Sequence, residues 1–242
     1  MAIANPRVSA AVFCVCCGAL TACGGEEVKY KPHPPVQGVK ATLPPVPNVQ
    51  KRPVKSGDAY TVWGAGYYLR SRVHHKDIAG TKITLAGYII KTNISDAPEC
   101  AVHKGGKADP EDCKPPIPAF WVADTREAPL EESIKVMGWA SNYAQIYDAI
   151  ADFDKGDETA EHMDTFWGIK TPNPLPSKGA KVRVKGTYST TFSGASTGTE
   201  ADPIMGLMAY QEIENVEPAP ELVTLPGVKR KEPKTEGEPK KK

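Results

Sequence analysis

Two segments share one pattern, and it narrows the folds open to the residues around them. In KITLAGYI, starting at Lys82, the apolar Ile83 and Leu85 alternate with other residues, and Gly87 takes the next inward position. KVRVKGTY, starting at Lys181, repeats this with Val182, Val184 and Gly186. A period of two marks a strand buried on one face. A glycine inside such a strand marks a bulge or a sharp bend. Bends at set points are what a small closed barrel needs to turn its corners.

Three further strands follow the same logic: AFWVAD (Ala119 to Asp124), SIKVMGW (Ser133 to Trp139) and GLMAYQEIENV (Gly206 to Val216). After the third strand of the series, SNYAQIYDAIADF places Tyr143, Ile146, Tyr147 and Ile150 on one face of an amphipathic helix. Ser141 or Asn142 is suited to cap it. The order strand, strand, strand, helix, strand, strand resembles the OB-fold, a five-stranded Greek-key barrel. The expected class is mainly β with one or two helices, the resemblance covering Thr81 to Val216. AYTVWGAGYYLRSRVHHKDIAG, ahead of it, predicts an extra N-terminal element, a short strand and then a helix packed on the barrel. A long first loop with two cysteines and an acidic insertion after the helix depart from a minimal OB-fold.

The N-terminus bears on location. Arg7 precedes an apolar run of about 13 residues, Val8 to Leu20, too short for a bilayer span of roughly 20 residues and suited to a secretory signal peptide. LTAC follows, and it resembles the lipobox of bacterial lipoproteins. The resemblance implies cleavage before Cys23, with acyl chains (palmitate among them) on that cysteine, while Cys14, Cys16 and Cys17 leave with residues 1–22. Each buried CH₂ contributes about 0.8 kcal/mol, so two or more chains hold firmly. Gly24 is not the Asp that resembles an inner-membrane retention signal, so the expected home is the outer membrane of a bacterial envelope, on its periplasmic or its surface side.

Residues 23–56 hold the anchor and a Pro-rich spacer, whose polyproline character at about 3.1 Å per residue gives a reach of roughly 100 Å. Residues 57–217 are the expected OB-like domain, and 218–242 a disordered basic tail. Such an arrangement resembles uncharacterised bacterial lipoproteins that carry one OB-fold-like domain after a Pro-rich spacer. From Gly57 to Glu217 there are about 16 basic and 23 acidic residues. Nucleic acid calls for the opposite balance, so it is not an expected partner.

OB-folds tend to bind through the second and third strands and the loops beside them. With Phe120, Val122, Ile134 and Val136 inward, Trp121, Lys135, Met137 and Trp139 point outward as a candidate binding face, unless the extra N-terminal helix or an insertion covers them. In the long loop, Cys100 and Cys113 form the expected disulfide of an exported chain, contributing about 3 kcal/mol. The rival is a metal or redox site of Cys100, His103 and Cys113, with Asp109, Glu111 or Asp112 as fourth ligand.

Other motifs carry less. GASTG (Gly194 to Gly198) matches a nucleophile elbow but lacks the following helix and a later His. The acidic run Asp152 to Asp164 has Gly156 in the fifth place of a calcium loop, where Asp or Asn belongs. His74 and His75 are adjacent, so on a helix they diverge. With no catalytic constellation, the expectation is a lipid-anchored envelope protein that needs no cofactor and binds or scaffolds a protein or an envelope polymer. A purely structural contact of the tail with cell-wall polymer is the other alternative.

Overall fold

The structure, a computed structural model, describes residues 31–33, 52–154, 160–194 and 198–229. The expected signal peptide, Cys23, most of the spacer and the end of the tail lie outside the described residues. The chain divides into two units, Met1–Asn48 and Val49–Lys242, and every element below belongs to the second.

Strands β1 (Lys55–Ser56) and β2 (Ala59–Thr61) lead into helix α1 (Val62–Arg70) and the short α2 (His75–Ile78). Then come β3 (Thr81–Thr92), β4 (Ala119–Ala123), β5 (Ile134–Met137), α3 (Tyr143–Phe153) and β6 (Lys181–Ser189). A hairpin of β7 (Thr191–Gly194) and β8 (Gly198–Ala201) precedes β9 (Leu207–Glu217). Strands β3, β4, β5, β9 and β6 are neighbours in that order, and β6 pairs back onto β3. The result is a closed five-stranded mixed barrel of OB-like topology in which β5 and β9 run parallel.

The repeated glycines do what the strand pattern predicts. β3 serves two partners: Thr81 to Tyr88 pair with β6, and Tyr88 to Thr92 with β4. The register shifts between Ile89 and Lys91 and again between Lys185 and Gly186. A Cβ on Gly87 would lie 2.5 Å from the Ala123 carbonyl oxygen, and one on Gly186 only 2.3 Å from that of Ala209. Only glycine lets the neighbouring backbones approach so closely at these bends.

Inside the barrel, Leu85, Ile89, Phe120, Val122, Ile134, Val136, Val182 and Val184 are buried. α3 adds Tyr143, Ile146 and Ile150 to this core, while Tyr147 is half-buried. Asn142, not Ser141, is its N-cap, accepting from the Gln145 N–H. α1 is capped by Thr61, and the Val62 and Trp63 N–H groups donate to the Asp124 carboxylate at 2.7 and 2.9 Å. A carboxylate there satisfies orphan donors and opposes the helix dipole. It ties the N-terminal element to the end of β4.

The packed chain runs past both expected domain edges. Before Gly57, the Val54 carbonyl accepts from the Thr61 N–H. After Glu217, Leu225 is buried, Ala219, Val223 and Val228 pack on the core, and the Val223 N–H donates to Ser177 Oγ at 2.9 Å. Residues 218–229 therefore belong to the domain rather than to a disordered tail. A few aliphatic anchors among Pro, Lys and Glu suffice, and average composition hides them. GASTG joins β7 to β8, with residues 195–197 outside the described residues.

Candidate binding face

The outer face of β4 and β5 carries part of the expected patch. The ladder sets Trp121 opposite Lys135 and Ala119 opposite Met137. Trp121 is half-buried, with the Lys91 and Lys135 ammonium groups 5.1 and 5.4 Å from its ring. Cations at that distance are attracted by the ring's electron-rich face. Met137 does point to this side, but it is wholly buried, in a small outer cluster with Ile117, Ala119 and Leu207. Trp121, Trp167 and Phe192 pack against that cluster.

Trp139 is a correction. It is fully buried in the main core, its ring 6.4 Å from Phe120. β5 ends at Met137, and Gly138 has φ +85°, a left-handed turn that glycine adopts without strain. The period-two count stops there, so the next side chain returns inward. Trp139 is no part of the face.

What takes its place comes from two insertions that the strand pattern does not reach. Phe192, on β7, meets Trp167 edge-on at 6.4 Å, and Lys135 is ion-paired with Glu200 on β8. Trp167 sits on the turn after the acidic run, and that turn is organised by Asp164. This carboxylate is only 1% exposed. It accepts from the N–H and the hydroxyl of Ser141, and from the N–H groups of Phe166 and Trp167. The Thr165 N–H donates to Gln145 Oε1, which pins the turn to the start of α3. Phe166, on the same turn, is 71% exposed. An Asp whose side chain bonds the amides two and three residues on is a turn signature. DTFWG carries that signal, concealed within a run of carboxylates.

The cysteine loop is also settled. Cys100 and Cys113 are joined as a disulfide. His103 turns to Asp109 at 2.9 Å and to the Lys104 carbonyl at 3.0 Å. The carbonyl first and the carboxylate second raise its pKa above the ordinary histidine value. The Gly105 N–H donates to the Asp148 carboxylate, anchoring the loop on α3. Among the described residues, no group of three or more His, Cys, Asp or Glu side chains could hold a metal ion.

Elsewhere, His162 Nδ1 meets Asp152 at 2.8 Å in the acidic run, of which residues 155–159 lie outside the described residues. His74 stacks on Tyr68 while His75 bonds the Leu69 carbonyl, so the two diverge. A cleft of about 710 Å³ lies between the end of β3 and residues 220–224, with Arg126 and Lys178 at its wall.

Fold and face together define a class: an OB-like barrel whose outer aromatic cluster is partly covered by its own insertions. No family model matches the chain, and no curated protein matches it either.

Proposed function

We propose that this chain is a lipid-anchored protein of the bacterial envelope, a non-catalytic binding or scaffolding module for a protein or envelope polymer. Cys23 holds it at the outer membrane, the Pro-rich spacer gives reach, and the barrel presents the outer face of β4 and β5. The observation that carries this reading is Trp121, half-buried between Lys91 and Lys135 beside the Trp167–Phe192 pair. Aromatic residues are enriched where surfaces bind. The disulfide engages both thiols of the cysteine loop, which is held on α3 through Gly105 and Asp148.

In-cell crosslinking of the tagged chain tests this. One reproducible partner should be captured by the parent and lost in Trp121→Ala and in Lys91→Gln, the second being a surface change that spares the fold. Undiminished capture by both variants would remove the face from the reading. For the anchor, Cys23→Ala should release the chain or leave its signal uncleaved, and normal processing with membrane retention would refute lipidation.

A further inference from the structure

α1 shows solvent a face that a surface helix ordinarily fills with charge. Its inward side is Val62, Ala65 and Leu69. Outward stand Trp63 and Tyr67, four residues apart, with rings stacked at 5.1 Å and 7° between planes. Arg70 continues that stripe three residues on and donates to the Ile204 carbonyl at 2.8 Å, which brings Ile204 to the helix end. Ile204 is 61% exposed and Val73, in the turn after α1, is 78% exposed. Arg72 and Lys76 are exposed beside it.

Charge selects the occupant. Val62 to Ile78 contains Arg70, Arg72 and Lys76 against one acidic residue, Asp77, which pairs with His74, in a domain whose acidic residues otherwise outnumber its basic ones. Among the described residues none of these three makes an ion pair, whereas Lys135, Lys181, Arg183 and Lys185 all do. A ring pair, exposed aliphatic side chains and unpaired cations together suit the boundary of an anionic bilayer. Trp and Tyr favour the headgroup level, aliphatic side chains enter the acyl boundary, and Arg and Lys meet the anionic heads.

We infer that the Trp63–Tyr67 face of α1, with Arg70, Arg72, Val73, Lys76 and Ile204, docks the domain on an anionic membrane surface. The inference rests on the membrane-anchored reading for its place in the cell, but the contact itself needs no acyl chain. The second unit begins at Val49, so the chain from Gly24 to Lys242 retains it and lacks Cys23.

That chain, sedimented with vesicles of phosphatidylglycerol and phosphatidylethanolamine, should bind more tightly than to phosphatidylcholine alone. Arg72→Gln with Lys76→Gln should weaken binding about 25-fold, taking roughly five-fold per cation near an anionic surface. Spacer and tail lysines are common to parent and variant, so the difference reports the face. Trp63→Phe should abolish one component of the quenching of tryptophan fluorescence by brominated lipid. Failure of the parent to bind anionic vesicles, or equal binding by the Gln pair, would overturn the inference. Retention of the Cys23→Ala chain in cells reads the anchor separately, so the two failures are distinguishable.

Discussion

Replacing Asp164 by Asn conserves volume and removes the charge from a carboxylate that is almost wholly buried. Both oxygens are in use. Oδ2 accepts from Ser141 twice, at 2.7 Å each, and Oδ1 accepts from the Phe166 and Trp167 amides at 2.9 Å each. A carboxamide has one oxygen, so its NH₂ must face two donors whichever way it turns. The Ser141 hydroxyl can rotate away, whereas the backbone amides cannot. Each buried donor left unpaired costs about 1–3 kcal/mol, and bonds to a charged acceptor are stronger than neutral ones. With partial relaxation of the turn, a loss of about 3 kcal/mol is expected, a large part of the ~5–15 kcal/mol available to a domain of this size. Urea unfolding followed by tryptophan fluorescence measures it. The native emission should also shift to the red as the turn bearing Trp167 loosens. A destabilisation below about 1 kcal/mol with unchanged emission would refute the account of Asp164 as the organiser of this turn.

Gly186→Ala should destabilise the barrel by about 2 kcal/mol or more, since the new methyl would sit 2.3 Å from a backbone oxygen that the β6–β9 ladder holds in place; a neutral effect on the urea midpoint would refute the close-approach argument. The pH dependence follows from His103, whose folded pKa is raised above 6.5 by the Lys104 carbonyl and Asp109. A raised value contributes stability that is fully present below the unfolded pKa and is lost as pH rises through the folded one. Relative to His103→Gln, the parent should therefore lose stability as pH rises from the ordinary histidine value of 6.5 through the raised folded one, and parallel melting profiles would count against the pairing.

The closed barrel was legible in the sequence because its cause is local. Period-two alternation decides which side chains face inward, and a glycine at the same inward position in two strands marks where backbones must touch. The α3 face and the strand–helix element before the barrel were legible for the same reason, through helical spacing and capping residues. The pairing of Cys100 with Cys113 followed from their being the two cysteines left once the expected signal peptide, residues 1–22, and the expected anchor Cys23 are set aside. The binding face was legible only as far as the alternation lasted. Trp121 and Lys135 lie within paired strands and stand where the count put them, while Trp139 lies one residue beyond a left-handed glycine and turns into the core.

What the tertiary structure alone decided concerns contacts between segments far apart in the chain. Trp167 and Phe192 come from separate insertions, and nothing in either segment announces that both pack over Met137. Asp164 reaches back to Ser141, and Leu225 enters a core whose strands ended at Glu217. Sequence patterns report the geometry of one element at a time, because periodicity is a property of a single helix or strand. Which elements meet depends on the free energy of burying their faces together, and that is a property of the whole chain.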